Sequence, residues 1–151
     1  MKKIILTIAT VFVFGVVSAQ DTKFGVKAGV DLASAKGGYS ETGFFVGGFA
    51  TIGISEKFAV QPEVLYVSIK DNAFLNIPIL AKYSFGEKLS ALAGPSLNYL
   101  LDAVDKELQF NIDFGAAYKI TDNIDINAKY SVATDSDFGV NGIFIGAGYS
   151  F

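Results

Sequence analysis

The sequence predicts an all-β protein, an eight-stranded antiparallel up-and-down transmembrane β-barrel with short periplasmic turns and mostly longer extracellular loops. Its composition is 51% hydrophobic and only 18% charged, with 16 Gly, 14 Phe and 7 Tyr among 151 residues. This richness in aromatic residues is typical of strands. Apolar residues recur with a period near two, and the segments between these runs alternate in length, as in barrels that cross a membrane.

The N-terminus predicts a cleaved signal peptide over residues 1–19, which leaves 20–151 as a single barrel domain. Two lysines precede an uncharged apolar run at 4–17, and Val17 and Ala19 are the small residues expected before a cut. A retained membrane anchor is the alternative, but the run is short for a bilayer span and a cleavage site follows it. The signal peptide predicts export, and only strands could carry the mature chain across a membrane. Together these predict the outer membrane as the location.

Eight alternating runs, each of about ten residues, are long enough to cross a bilayer as tilted strands. In chain order they cover 23–32, 43–54, 58–69, 73–85, 89–100, 108–120, 124–133 and 142–151.

The connections between these runs fall into two classes. Three tight turns are expected at 55–57, 86–88 and 121–123, and longer loops at 33–42, 101–107 and 134–141. The short segment 70–72 is an exception, since it belongs with the longer loops. Short turns at one end and longer loops at the other indicate periplasmic and extracellular ends, respectively.

Residues two apart in a strand share a face, which sorts each predicted strand into an apolar and a polar side. The first strand has Phe24, Val26 and Val30 on one side, and Lys27 and Asp31 on the other. The polar sides carry glycine and a nearly balanced set of charges: Lys27, Asp31, Glu63, Lys82, Asp113, Lys119, Asp125 and Lys129. Because charges inside a closed barrel need partners, this balance favours a lumenal charge network. The alternative is the wet exterior of a soluble barrel.

Two strands do not sort cleanly. In the second, Phe45 and Phe49 have the opposite parity to Phe44, and in the fourth, Phe74 and Leu80 fall among polar-side positions. The inward or outward assignment of these two strands stays open from the sequence.

Aromatic residues concentrate near the predicted strand ends, as in the interfacial girdles of membrane proteins. Toward the short turns these are Phe58, Tyr83, Phe85, Tyr118, Tyr149 and Phe151, and toward the longer loops Tyr66, Tyr99, Phe110 and Tyr130.

Several segments in order resemble the PorT-like family of small outer-membrane β-barrel proteins. They are "FGVKAGVDLAS" (24–34), "QPEVLYV" (61–67), "FLNIPILAKYSF" (74–85), "AGPSLNYLL" (93–101), "DFGAAYKI" (113–120) and "GAGYSF" (146–151). The resemblance implies an eight-stranded outer-membrane barrel, and for some relatives a link to protein secretion. It brings no catalytic residues with it.

The residue types present argue against an enzyme. The chain has no His and no Cys, so the usual general base and thiolate nucleophile are missing. No cofactor or metal site is expected. Acidic pairs such as Asp135 with Asp137, and Asp102 with Asp105, could offer oxygen ligands to calcium, but they lack the pattern of a calcium loop and are better read as solvated. An acidic chain without arginine is also not expected to bind nucleic acid.

The sequence therefore predicts a small integral outer-membrane barrel with a filled lumen and a structural or interaction role, in contact with outer-membrane lipid. An eight-stranded barrel is just wide enough to be filled by its own side chains. A protein partner would meet the extracellular loops. The alternative is a soluble periplasmic lipocalin-like barrel that binds a small apolar ligand in an apolar interior.

The last run, "NGIFIGAGYSF" (141–151), is expected to pair with the first strand, because an open sheet edge is not tolerated in lipid. Phe151 would then lie at the periplasmic interface. A C-terminal aromatic residue in this class resembles the signal read by the barrel-assembly machinery, so that machinery is an expected partner.

Overall fold

The structure, a computed structural model, describes residues 21–35, 38–101, 108–134 and 139–151. The predicted signal peptide lies outside the described residues, as do residues 102–107 and 135–138 of the predicted loops 101–107 and 134–141. Within the described ranges, no helix is long and apolar enough to cross a bilayer.

Eight antiparallel strands form one closed barrel in sequential order, which confirms the predicted fold class. They are β1 (Thr22–Ala35), β2 (Tyr39–Gly53), β3 (Phe58–Ile69), β4 (Asn72–Ser84), β5 (Leu89–Leu100), β6 (Leu108–Lys119), β7 (Ile124–Ala133) and β8 (Val140–Ser150).

The first and last strands close the barrel, as the terminal run predicted. Their ladder is continuous from Gly25 opposite Ser150 to Ala35 opposite Val140. Gly29 lies opposite Gly146 in this seam, and a Cβ at Gly29 would overlap the carbonyl oxygen of Ile145. The close approach of β1 and β8 therefore requires glycine there.

Three tight turns at 54–57, 85–88 and 120–123 lie at one end of the barrel, here called the turn end, within one residue of the predicted positions. Side-chain oxygens stabilise two of them: Ser55 Oγ accepts from the amide of Phe58 at 3.2 Å, and Thr121 Oγ1 accepts from the amide of Ile124 at 3.0 Å. The other four connections lie at the opposite end, here called the loop end.

The predicted loop at 33–42 is wrong. β1 and β2 continue as a hairpin, with Ala33 opposite Glu41 and Ser34 opposite Ser40, and Gly38 takes a φ of 86° in the turn. Small and polar residues hid the alternation, but Ala33 is buried inside the barrel and continues the inward face of β1.

The outward faces of the strands are apolar, and the charged side chains near the middle of the strands lie inside the barrel. Phe24, Val30, Phe114 and Ile145 are all between 44% and 51% exposed, whereas the lumenal Asp113 is fully buried. The alternative of a lipocalin-like barrel with an apolar interior is wrong, because a soluble fold would not expose such a continuous apolar surface.

The aromatic residues at the strand ends point outward, in agreement with two girdles. Nine of the ten predicted members are among the exposed hydrophobic residues, and Tyr99 is half-buried. Tyr83 with Phe85, and Tyr149 with Phe151, form edge-on ring pairs at the turn end, with centroids 5.0 and 5.7 Å apart.

Three neighbouring ladders are each interrupted at a proline, while the other five run without a gap. Pro62 faces the gap between β2 and β3, Pro78 the gap between β3 and β4, and Pro95 the gap between β4 and β5. The register is the same on both sides of each gap. The missing proline amide explains the lost pairing.

Candidate functional site in the barrel lumen

Four charged side chains from four strands meet in the middle of the lumen. Lys27 Nζ lies 2.5 Å from Glu63 Oε1, and Lys129 Nζ lies 2.8 Å from Asp113 Oδ2 and 3.9 Å from Glu63 Oε2. No more than 5% of any of these side chains or residues is exposed. We call Lys27, Glu63, Asp113 and Lys129 the ion-pair layer. Its burial shows that these charges do not form a wet exterior.

Neutral polar side chains donate further hydrogen bonds to the carboxylates of the layer. Asp113 Oδ1 accepts from Ser96 Oγ at 2.7 Å and from Ser131 Oγ at 2.6 Å, and Gln61 Nε2 donates to Glu63 Oε1 at 2.7 Å. Sequence reasoning missed these residues, although Gln61 shares the lumenal parity of Glu63 and Ser131 that of Lys129. Buried carboxylates need such donors in addition to their counter-charges.

The two lysines of the layer also contact aromatic rings. Lys27 Nζ lies 5.1 Å from the centroid of the Phe49 ring, and Lys129 Nζ lies 4.8 Å from that of Phe144. Both distances suit cation–π attraction. Phe45 packs against Phe144 with ring centroids 5.4 Å apart.

Apolar side chains pack inside the lumen on both sides of the layer. They settle which residues of β2 and β4 point inward, a question that the sequence left open. Phe45 and Phe49 of β2, and Phe74 and Leu80 of β4, all point inward. One cluster toward the loop end contains Ala33, Phe45, Leu65, Val67, Ile69 and Phe144, with Phe74 packed against it, and a second toward the turn end contains Leu80, Leu92 and Ala117.

The other four charges predicted for the lumenal network are not members of the ion-pair layer, although Lys82 is linked to it through Gln61. Lys82 Nζ donates to Gln61 Oε1 at 3.3 Å, and Asp125 Oδ1 accepts from Asn127 Nδ2 at 2.9 Å. Lys119 is exposed, and Asp31 is buried beyond the layer toward the loop end. None of the ion pairs within the described residues includes any of these four. The structure therefore brings together half of the predicted network.

A separate cavity opens at each end of the barrel. The loop-end cavity has a volume of about 480 Å³, and the turn-end cavity one of about 960 Å³. Lys82, Lys119 and Asp125 line the turn-end cavity, where lysines and acidic residues are mixed, and Asp31 lines the loop-end cavity. The two cavities share no lining residue, and the ion-pair layer lies between them.

One ion pair lies on the rim of the loop end. Lys70 Nζ donates to Glu41 Oε1 at 2.9 Å, and both side chains are substantially exposed. The hydrogen bond and the charge of Glu41 raise the pKa of Lys70 above its ordinary value.

Phe151 lies at the turn end, where its ring is 72% exposed. Its amide donates to the carbonyl oxygen of Phe24 at 2.9 Å, so the hydrogen bonds between β1 and the end of the chain continue past β8. Within the described residues, no group of three or more acidic, His or Cys side chains could hold a metal ion. The acidic residues considered for calcium at 102–107 and 135–137 lie outside the described residues.

A family model described as "Outer membrane protein beta-barrel domain" matches residues 5–151. No protein of curated function matches the sequence.

Solved structures share the fold at low sequence identity. Ail, the attachment invasion locus protein of Yersinia pestis, is 18% identical with a TM-score of 0.58 in its complex with sucrose octasulfate, and the match covers 87% of this chain and 100% of Ail. Neisserial surface protein A is 18% identical with a TM-score of 0.58, over 89% of this chain and 99% of its own. A de novo designed transmembrane β-barrel is 17% identical with a TM-score of 0.62, over 88% and 99%.

Proposed function

Because the chain belongs to the outer membrane protein beta-barrel domain family, we propose that it is an integral outer-membrane barrel with a filled lumen that serves a structural or interaction role. The ion-pair layer is the observation that carries this proposal. Two lysines and two carboxylates cross the middle of the lumen from four different strands, with apolar clusters on either side. With these side chains in the lumen we expect no open path for solutes, and the outer apolar band suits contact with lipid.

We place the turn end in the periplasm and the loop end outside the cell, after an N-terminal signal peptide at 1–19 has been removed. Short turns at one end support this orientation. A protein partner would then meet the hairpin at 33–42 and the connections at 101–107 and 134–141.

The resemblance to PorT-like barrels adds a specific role to this proposal, a link to protein secretion across the outer membrane. The test measures the amount of protein secreted by a strain that lacks this chain. The same strain is then supplied with either the wild-type protein or a variant whose residues 101–107 are replaced by a tight turn. Loss of secretion in both the deletion strain and the loop variant supports the role. Unchanged secretion in the deletion strain contradicts it.

Conductance measurement tests the filled lumen. We expect the purified protein in planar lipid bilayers to show no large, stable channels, because the ion-pair layer and the flanking apolar clusters occupy the lumen. A porin reconstituted in the same way is the positive control. Stable conductance steps of porin size would contradict the proposal.

We further propose that Phe151 is the residue recognised by the barrel-assembly machinery. Its exposed ring could serve as the recognition signal, whereas its backbone hydrogen bond to Phe24 serves the pairing of strands. Phe151→Ala keeps the amide that reaches Phe24 and removes the ring, whereas deletion removes both. If the ring is the signal, both variants accumulate less folded barrel in cells, measured by heat-modifiable gel mobility, while Phe151→Ala refolds normally in detergent. Normal assembly of Phe151→Ala in cells would contradict this role.

A further inference from the structure

The loop-end cavity has the size and the mixed lining of a small-molecule site. Its volume of about 480 Å³ lies within the range usual for ligand pockets. Apolar side chains line part of it, and polar groups converge on the rest. Phe74, Leu100, Val140 and Phe144 contribute apolar surface, while Asp31, Asn98, Asn111 and Ser131 contribute polar atoms.

The described charged residues that line this cavity are all acidic. Asp31 and Glu41 line it, and the described residues of its lining include no lysine. Glu41 already pairs with Lys70 on the rim. By contrast, four lysines, Lys23, Lys82, Lys88 and Lys119, line the turn-end cavity together with acidic residues. The loop-end cavity is therefore the one suited to a cation.

Asp31 is a buried carboxylate without a counter-charge of its own. It is 1% exposed, and its Oδ1 has no hydrogen-bond partner. Lys129 acts on Asp31 electrostatically, but that ammonium group is already shared between Asp113 and Glu63. Within the ion-pair layer two lysines balance two carboxylates, so the layer leaves Asp31 unbalanced. A buried carboxylate is stabilised by a cation and hydrogen-bond donors.

A second buried acceptor lines the same cavity. Asn111 is 2% exposed, and its Nδ2 donates to Ser131 Oγ at 2.9 Å and to the carbonyl oxygen of Val140 at 3.3 Å. Its Oδ1 has no partner. An ammonium group has several N–H donors, and its positive charge would balance the carboxylate of Asp31.

We propose that the loop-end cavity binds a small organic cation, with an ammonium group on Asp31 and Asn111 and an apolar body against Phe74 and Phe144. The apolar lining favours an amine with a hydrocarbon or aromatic body over a bare metal ion. This site goes beyond the structural role proposed above, since it needs neither a protein partner nor secretion.

The test compares two probes of nearly equal shape, 2-phenylethylamine, which is cationic at neutral pH, and 2-phenylethanol, which is neutral. Binding is measured by NMR chemical-shift changes of the protein in lipid nanodiscs, with empty nanodiscs to correct for partition into lipid. We expect the amine to bind at least about ten-fold more tightly than the alcohol, the size of one charge-assisted hydrogen bond. Equal affinities would overturn the proposal.

Two variants locate the site. Asp31→Asn keeps the shape of the side chain and removes its charge, and we expect it to weaken amine binding about ten-fold without affecting the alcohol. Asp125→Asn makes the same change in the turn-end cavity and should leave both probes unaffected. Amine binding that survives Asp31→Asn, or that Asp125→Asn weakens equally, would overturn the assignment.

A measurement on the wild-type protein keeps the test independent of variant folding. Nuclear Overhauser effects should connect the aromatic protons of the amine with methyl groups of Leu100 and Val140. Their absence under saturating amine, or displacement of the amine by millimolar calcium, would overturn the proposal.

Discussion

The protein contains ion pairs in two contrasting places, the middle of the lumen and the rim of the loop end. In the ion-pair layer, Lys129 and Asp113 lie 2.8 Å apart with side chains 5% and 0% exposed. On the rim, Lys70 and Glu41 lie 2.9 Å apart with side chains 67% and 39% exposed. The distances are nearly equal, so the surroundings decide what each pair contributes to stability.

Water explains the difference. On the rim, water screens the attraction and solvates either charge when its partner is removed, so such pairs contribute little. In the layer, removal of one partner leaves a charge that water cannot reach, which costs several kcal/mol. The buried pairs thus stabilise one relative position of the four strands that carry them, whereas the rim pair affects only its own two side chains.

Lys129→Met should have the largest effect, because it leaves both Asp113 and Glu63 without their shared cation. We expect the free energy of unfolding to fall by about 3–5 kcal/mol, measured by urea titration in lipid vesicles. Lys119→Met is the matched control, since Lys119 has the same lumenal parity but is exposed at the turn end. If the two variants lose equal stability, burial is not the cause of the difference.

Removal of both members of the Lys27–Glu63 pair should cost less than removal of one. Lys27→Met leaves Glu63 with the hydrogen bond from Gln61 but with Lys129, 3.9 Å away, as its one counter-charge among the described ion pairs, and we expect a loss of about 3 kcal/mol. Adding Glu63→Gln removes the uncompensated charge, so the double variant should recover at least about 1 kcal/mol of that loss. The same urea titration measures this coupling. Additive losses would show that the pair acts through packing alone.

The rim pair should show the smallest effect, visible in titration rather than in unfolding. Glu41 raises the pKa of Lys70, so its contribution is present below the ordinary lysine value of 10.5 and is lost as the pH rises through the higher folded value. Glu41→Gln should return the NMR titration of the Lys70 side chain toward its ordinary value, with no measurable change in unfolding at neutral pH. An unchanged titration would show that the pair does not form in solution.

Strand parity was enough to identify the four residues of the layer as lumenal, because alternation in a barrel follows the chain locally. It could not identify the partners. Lys27 and Glu63 lie on β1 and β3, and Lys129 reaches across to both β6 and β3. Such contacts depend on the width of the closed barrel and on the heights at which the strands are staggered.

Position along the strand explains why the structure separates Lys119 and Asp125 from the predicted network. Lys119 ends β6 and Asp125 is the second residue of β7, so correct parity places both at the wide turn-end mouth rather than in the middle. The inward Phe45 and Phe49 obscured the alternation of β2, because a filled lumen takes apolar side chains as readily as polar ones. Small residues hid the extension of β1 and β2 into the segment 33–42.

The three prolines give the barrel two mechanically different halves. Cross-strand hydrogen bonds make the wall of a barrel stiff, and each of the three ladders from β2 to β5 loses some of them at a proline. The remaining ladders, including the β1–β8 seam, are continuous. Lateral pressure from the bilayer would therefore flatten the cross-section by bending the β2–β5 side, while the half that carries the seam keeps its curvature.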